Sequence, residues 1–458
     1  MTGIGYHERR VVLSTDPLAT AAALAAASEE DHVLYENRDE VSWAEGEHAT
    51  LSVRADGVTL TEPGNDQYFP ADGAPLDAVA RALGRLRPRG WRAYGWATFE
   101  LSYALHGLDR LLPPTPLAHL VIPRREIRLS GGTALLRALD PGDLDSLERR
   151  LAAAGREPAR EQVSAEVETY GRDSYRRAVA DAVTEIGAGR LDKVILSRVV
   201  PVPFEIDLPA TYLAGRRANA PARSFLLRLG GWQAAGFSPE IITRVSADGL
   251  VLTQPLAGTR AFDGDPDTDR KRREELYRDA KEVFEHAISV RLAGEELAGT
   301  CEPGTVRVDD FMSVKERGSV QHLASQVSGR LAPGRSGWDA LAALFPAVTA
   351  SGIPKAAACE LIHRSEPEER GLYSGAVLTA DADGTVDAAL VLRSVFRRAG
   401  RTWLRAGAGI VEHSTPDREL EETCEKLRSV SRFLVPAPGA GERPSVEAEA
   451  LSYSSTVM

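Results

Sequence analysis

Apolar and polar positions along this chain alternate with two periods, and the change from one to the other marks most of the elements. Leu18 to Ser28 is an Ala-rich helical run. Glu47 to Leu60 then alternates with period two on both sides of Asp56-Gly57, which predicts two strands joined by a turn. Leu117–Ile122 and Thr133–Leu139 read as further strands, and Asp143–Ala154 as a helix. Gly155 to Glu168 is polar and charged, a candidate lobe boundary. From residue 169 the signals sharpen. A helix over Asp173–Ile186 is ended by Gly187 and Gly189, and a Val/Ile-rich strand follows over Lys193–Val202. Strands are predicted at Phe225–Leu229, Ile241–Val245, Leu250–Thr253, Tyr373–Thr379, Ala388–Arg398 and Thr402–Ala406. One long helix is predicted over Thr268–Gly294 and a last one over Asp417–Phe433. After Pro436 the chain turns to Pro, Gly, Ser and Glu, the composition of a disordered tail. The expected organisation is an N-terminal lobe (1–165), a catalytic region (166–435) and a tail (436–458).

Composition narrows the class. With 458 residues, 43% hydrophobic and 26% charged, the chain is an ordinary globular protein large enough to bury a core without staples. A net charge of −11 argues against general nucleic-acid binding. Cys301, Cys359 and Cys424 are odd in number and lack CxxC spacing, so neither a disulfide framework nor a zinc site is expected. The first residues hold no apolar signal-like run, and no stretch of 18 apolar residues occurs; a cytoplasmic, non-membrane protein is the expectation.

Candidate chemistry sits mostly on helices. Glu282 and Glu285 are i, i+3 and share a helix face; Glu419, Glu422 and Lys426 are i, i+3, i+7 on another. Two carboxylate pairs on different helices suit a hard cation such as Mg²⁺, although such pairs are more often solvated faces. Lys193 opens a strand, Glu240 follows Ser238-Pro239, and Gln254-Pro-Leu-Ala-Gly-Thr-Arg260 is a turn able to meet an anion. His322 has a core histidine as its ordinary reading. Arg393, inside an apolar strand, needs a carboxylate partner if it points inward. Dinucleotide, Walker-type, HExxH and GxSxG motifs are all missing, so redox and nucleotide-hydrolysing readings lose support.

Taken in order, these segments resemble the chorismate-utilising enzymes, most of all their salicylate synthase subgroup. The resemblance rests on Lys193-Val-Ile-Leu-Ser-Arg198, Ser238-Pro-Glu240, Pro255-Leu-Ala-Gly-Thr-Arg260, Lys281-Glu-Val-Phe-Glu-His286 and Gly318-Ser-Val-Gln-His-Leu323. It continues through Phe345-Pro-Ala-Val-Thr-Ala-Ser-Gly-Ile-Pro-Lys355, Tyr373-Ser-Gly, Arg405-Ala-Gly-Ala-Gly-Ile and Glu421-Glu-Thr-Cys-Glu-Lys426, and more loosely through Gly95-Trp-Ala-Thr-Phe-Glu. It implies an α/β (α+β) fold of two packed antiparallel sheets with helices outside and the site in the cleft. It implies Lys193 as the base that activates water and Glu240 as the acid for the departing C4 hydroxyl. Mg²⁺ would be held through Glu282, Glu285, Glu419 and Glu422, directly or through water. Arg393 and Tyr373 would hold the enolpyruvyl carboxylate, with Gly258, Thr259, His322, Thr349, Gly407 and Lys426 lining the rest. A lysine base must be neutral, and neighbouring carboxylates oppose that unless a cation offsets them.

Three positions choose among reactions within the resemblance. Amine-forming relatives carry Gln in place of Lys193, aminodeoxychorismate synthases a Lys in place of Ala257, and isochorismate synthases tend to read Tyr/Phe-Ala-Gly-Pro in place of Tyr373-Ser-Gly-Ala. Water is therefore the expected nucleophile, with no glutamine amidotransferase subunit, and a monomer is expected. Gln254 departs from the Glu expected in close relatives. The alternatives are an isochorismate synthase that stops after hydration, an amine-transferring synthase, and a non-catalytic chorismate-binding protein. The last is disfavoured because Lys193, Glu240 and all four glutamates are intact.

Overall fold

Two long strands, Val41–Val53 and Ala118–Ser130, hold the architecture together. They pair antiparallel with each other along nearly their whole length, and the register shifts between Glu47 and Ala49, next to Gly46 in the left-handed region (φ 70°). A bulge of this kind bends and twists a strand. Either side of it the pair has different neighbours. Val41–Glu45 joins His32–Glu36, and Arg125–Ser130 joins Thr133–Ala138; beyond the bulge Thr50–Val53 joins Gly57–Glu62, and Ala118–Val121 joins Arg92–Ala97. The structure, a computed structural model, describes residues 5–155, 160–318 and 320–439.

One sheet runs outward from this ribbon through His32–Glu36, Arg223–Leu229, Trp232–Ser238, Ser394–Arg398 and Arg401–Ile410 to Lys193–Pro201. The other runs through Arg92–Ala97, Ala376–Asp381, Val386–Leu390, Ile241–Val245 and Leu250–Thr253 to Val320–Arg330, which also pairs with Leu256–Ala261 and Arg307–Glu316. The two antiparallel sheets are thus halves of one hydrogen-bonded network, continuous through the shared ribbon. Strands from early and late in the chain lie side by side, and the buried clusters mix them: Leu24, Trp43 and Leu136 pack with Val200, Leu226, Val395 and Leu427. Among the described residues no helix is long and apolar enough to cross a membrane.

Three predicted elements change. The long helix is two, Pro266–Arg278 and Ala280–Ala298, broken at Asp279. Asp279 is extended (ψ 104°), and its carboxylate accepts hydrogen bonds from the backbone N–H of Lys281 and Glu282, so it caps a fresh helix. The strand predicted over Ala388–Arg398 is split at Arg393, whose φ is +50°. Tyr373 precedes its strand, which starts at Ala376. The predicted tail lies outside the described residues from position 440 onward.

Candidate active site

The restart at Asp279 sets the face that the second helix turns inward. Glu282, Glu285, His286 and Ser289, at i, i+3, i+4 and i+7, are all buried, while Phe284 is exposed. Facing them, the helix Pro416–Ser431 brings Glu419, Glu422 and Lys426. The free ends of both sheets supply the rest: Lys193 and Gly407 from one, Gly258, Thr259 and His322 from the other. Glu240 lies where the chain crosses between sheets, just after Ser238. A cavity of about 80 Å³ is lined by every residue of the expected set except Lys193, Glu282 and Glu419.

Lys193 is fully buried. Its ammonium lies 2.9 Å from Glu285 Oε1 and donates to Ser289 Oγ at 3.2 Å. Glu240 is also buried, with one side-chain partner, Thr349, whose hydroxyl donates to Oε1 at 2.6 Å. Burial pushes the Glu240 carboxyl up to about 8, against the smaller opposing effects of Thr349, the Leu256 backbone and the Lys193 charge. A carboxyl so placed keeps its proton at neutral pH.

Arg393 is the unusual cation. It is buried, and among the described residues no carboxylate pairs with it. It donates to the Arg317 carbonyl at 3.4 Å and to His322 Nε2. A guanidinium has no acceptor, so Nε2 must be the bare nitrogen and Nδ1 must carry the proton. From Nδ1 the ring reaches Thr259 Oγ1 (3.0 Å) and the Gly258 carbonyl (3.3 Å). Burial, then Arg393 and Lys426, hold the His322 pKa well below its ordinary value, consistent with a neutral ring. Burial and the nearby Arg317 charge lower Arg393 to about 10, still charged at neutral pH. A buried, unpaired guanidinium on a cavity wall is costly unless an anion joins it.

The four glutamates are drawn into one neighbourhood but each faces a cation: Glu282 Arg260 at 3.3 Å, Glu285 Lys193, Glu419 Lys281 at 2.9 Å, and Glu422 Lys426 at 2.8 Å. Burial and the Glu422 and Glu285 charges raise Glu282; burial and Glu422 raise Glu419. For Glu422 the Lys426 and Lys281 charges outweigh burial and keep it low. One oxygen of Glu419 is buried with no hydrogen-bond partner. Among the described residues no three His, Cys, Asp or Glu side chains converge as a finished metal cage. The carboxylates nevertheless fit a hard cation in donor type, in mutual repulsion and in that orphaned oxygen.

Close approach explains two glycines here. A Cβ on Gly407 would lie 2.6 Å from the Leu196 carbonyl, and on Gly409 2.4 Å from Glu285 Oε1. Gly409 was not singled out by sequence, nor were Ser289, Lys281 and Arg260 as partners of the key charges. Arg405 also lines the cavity: it pairs with Glu366 at 2.5 Å, and its guanidinium lies 5.6 Å from the Tyr373 ring centre, with that of Arg370 at 5.7 Å. Its motif was legible, but not its role in bracing Tyr373.

Residues 30–432 match the model of the chorismate binding enzyme family. The chain belongs to that family. A salicylate synthase from Mycolicibacterium paratuberculosis is 47% identical over 425 residues, covering 92% of this chain and 94% of the relative. An anthranilate synthase component 1 from Streptomyces coelicolor is 40% identical over 67% of this chain and 59% of its own length. Among solved structures, anthranilate synthase component I from Streptococcus pneumoniae superposes with a TM-score of 0.73 at 23% identity, covering 86% of this chain and 92% of that one. The menaquinone-specific isochorismate synthase from Escherichia coli gives 0.72 at 22% identity, covering 94% and 95%. At such identities the two structures establish the fold. This member of the chorismate binding enzymes has that fold, with one cavity joining a protonated carboxyl, an unpaired guanidinium and a carboxylate cluster.

Proposed function

We propose that this enzyme converts chorismate to salicylate and pyruvate by way of isochorismate. The observation that carries the reading is Glu240, protonated to about pH 8 on the same cavity as the unpaired Arg393, with Lys193 directly behind Glu285. The high identity to a salicylate synthase along nearly the whole chain supports the choice of product.

In this reading Lys193 takes a proton from the water that attacks C2 of the ring. The ring double bonds shift, and the C4 hydroxyl leaves as water with the proton of Glu240. Each acid–base role contributes roughly 10²–10⁴-fold in rate. Arg393 binds the enolpyruvyl carboxylate through its planar fork, and Tyr373, whose ring has the Arg370 and Arg405 guanidiniums over it, helps to hold the same group. In the second step the hydrogen on C2 passes to the enolpyruvyl methylene as the C3–O bond breaks. Pyruvate departs and the ring becomes aromatic. That step needs no second nucleophile; it needs the side chain held over the ring, which is the task of Arg393 and Tyr373. Glu282, Glu285, Glu419 and Glu422 would hold Mg²⁺, which when bound supplies positive charge for the ring carboxylate and offsets the glutamates. Binding in this way also requires Arg260, Lys193, Lys281 and Lys426 to loosen from their present carboxylate partners.

The test supplies chorismate and isochorismate in parallel, with Mg²⁺ and after exhaustive chelation. Salicylate and pyruvate are expected in equal amounts from both substrates with the cation, and none after chelation. Isochorismate that accumulates from chorismate without salicylate would leave an enzyme that stops at hydration. Turnover that survives chelation would remove the cation from the reading.

A further inference from the structure

A second cavity, of about 220 Å³, has Ile241 and Gln254 in its lining. Gln254 donates its backbone N–H to the Ile241 carbonyl at 3.2 Å; Ile241 follows Glu240, and Gln254 leads into the turn that carries Gly258. The cavity is strongly basic in a chain that is acidic overall. Two of its cations are already matched, Arg223 by a two-pronged contact with Asp387 (2.8 and 2.6 Å) and Lys315 by Asp310 at 3.1 Å. Arg38, Arg244 and Arg317 are not: among the described residues none has a carboxylate within ion-pair distance. Arg38 and Arg244 are exposed and Arg317 is half-buried, its Nε enclosed without a hydrogen-bond partner. Against these three charges the lining offers one unmatched carboxylate, the exposed Asp39, while Gln254 puts a neutral amide in the wall. Burial, then the Arg38 and Arg223 charges, lower the pKa of Arg317, so the guanidiniums feel one another.

The geometry points to a second anion site here, for a small polyvalent oxyanion gripped by Arg38, Arg244 and Arg317, whose occupancy is felt at Arg393. Guanidinium forks match the paired oxygens of a phosphate or a carboxylate, and a doubly charged ligand relieves the repulsion that the cavity now stores. The link to the reaction is short. Arg393 donates to the backbone carbonyl of Arg317 itself at 3.4 Å, and the Arg317 charge already acts on Arg393. An anion on Arg317 lowers the positive potential at Arg393, so a carboxylate substrate binds there less well.

The binding arm needs no assumption about the reaction. Full-length protein is titrated calorimetrically with inorganic phosphate and, separately, with malonate, at constant ionic strength set by chloride; the stronger of the two identifies the source. One saturable site is expected, weakened about tenfold by Arg244→Ala and further by adding Arg38→Ala, since each removes a charge-assisted contact. No saturable binding of either anion, or unchanged affinity in the double variant, overturns the site. The kinetic arm rests on the chorismate reading. The bound anion should raise KM for chorismate with kcat unchanged, and should not do so in the double variant. A KM that does not move overturns the link to Arg393, and one that moves equally in both proteins overturns the site as its cause.

Discussion

Glu126 and Glu240 are both glutamates buried in this fold, and they have opposite characters. Glu126 accepts from Arg128 at 2.9 and 3.1 Å, and also from Arg137 and Tyr94. Burial alone would raise it, but the Arg128, Arg137 and Arg92 charges win and hold it down at about 2. Glu240 has only the Thr349 hydroxyl, the Leu256 backbone and the Lys193 charge against it, and burial wins. The lesson concerns counting: a buried carboxyl surrounded by donors is a permanent anion that fastens strands together, whereas one left short of donors is a proton carrier. Arg393 against Arg405 makes the same contrast among cations, one without a carboxylate and the other fixed to Glu366.

That contrast is broken most severely by removing the proton carriers. Lys193→Ala and Glu240→Gln should each lose roughly 10²–10⁴-fold in turnover with an unchanged circular dichroism spectrum. Near-native turnover in either would take that residue out of the chemistry. Glu126→Gln should behave in the reverse manner. It leaves Arg128 and Arg137 without their buried counter-charge, which costs about 3–5 kcal/mol in urea unfolding, while turnover per folded molecule stays the same.

Dependence on pH sharpens the comparison, because the two signs differ. Glu126 sits below its unfolded value, so its stabilisation is present above the ordinary carboxylate range and is lost as pH falls towards about 2. Glu240 sits above its unfolded value, so folding is increasingly opposed as pH rises from the ordinary carboxylate range to about 8. The acid role proposed for it should fade over the same range. Unfolding free energies measured against pH should lose their fall between the ordinary carboxylate range and about pH 8 in Glu240→Gln, and should fall less steeply at low pH in Glu126→Gln than in the parent; an unchanged profile in either variant would reassign that effect. The smallest effect belongs to Ser289→Ala. This variant deprives Lys193 of one hydrogen bond and leaves Glu285 in place, for about 1 kcal/mol and a several-fold drop in kcat.

Much of this site was legible because helical spacing is a local property. Glu282 with Glu285, and Glu419 with Glu422 and Lys426, share faces by periodicity alone, and the structure turns those faces toward each other. Asp279 was missed because the residues on both sides of it keep a helical pattern, and only its capping geometry shows that the helix restarts. Arg393 was placed within a strand because Leu390-Val-Leu-Arg-Ser-Val reads as one. A positive φ in an arginine is sustained by tertiary contacts, here with His322 and Arg317, that no local pattern encodes. The union of the two sheets left only a faint trace, Gly46 immediately before the alternating run that starts at Glu47. Arg405 behind Tyr373 left none, since their contact joins distant segments.

The ladder partners of the Lys193 strand carry a further consequence, for biogenesis. That strand pairs with Gly352–Ile353 and Arg401–Ile410, and among the described residues with no strand made earlier. On a ribosome adding about 5–20 residues per second, an apolar strand completed at Pro201 waits about ten to forty seconds for its neighbour. Its sheet also needs His32–Glu36 to find Arg223–Leu229 across most of the N-terminal half. This wall of the cavity is therefore among the last parts of the molecule to assemble, and truncation just before residue 401 should yield a chain that retains an unpaired, aggregation-prone edge at the strand that carries Lys193.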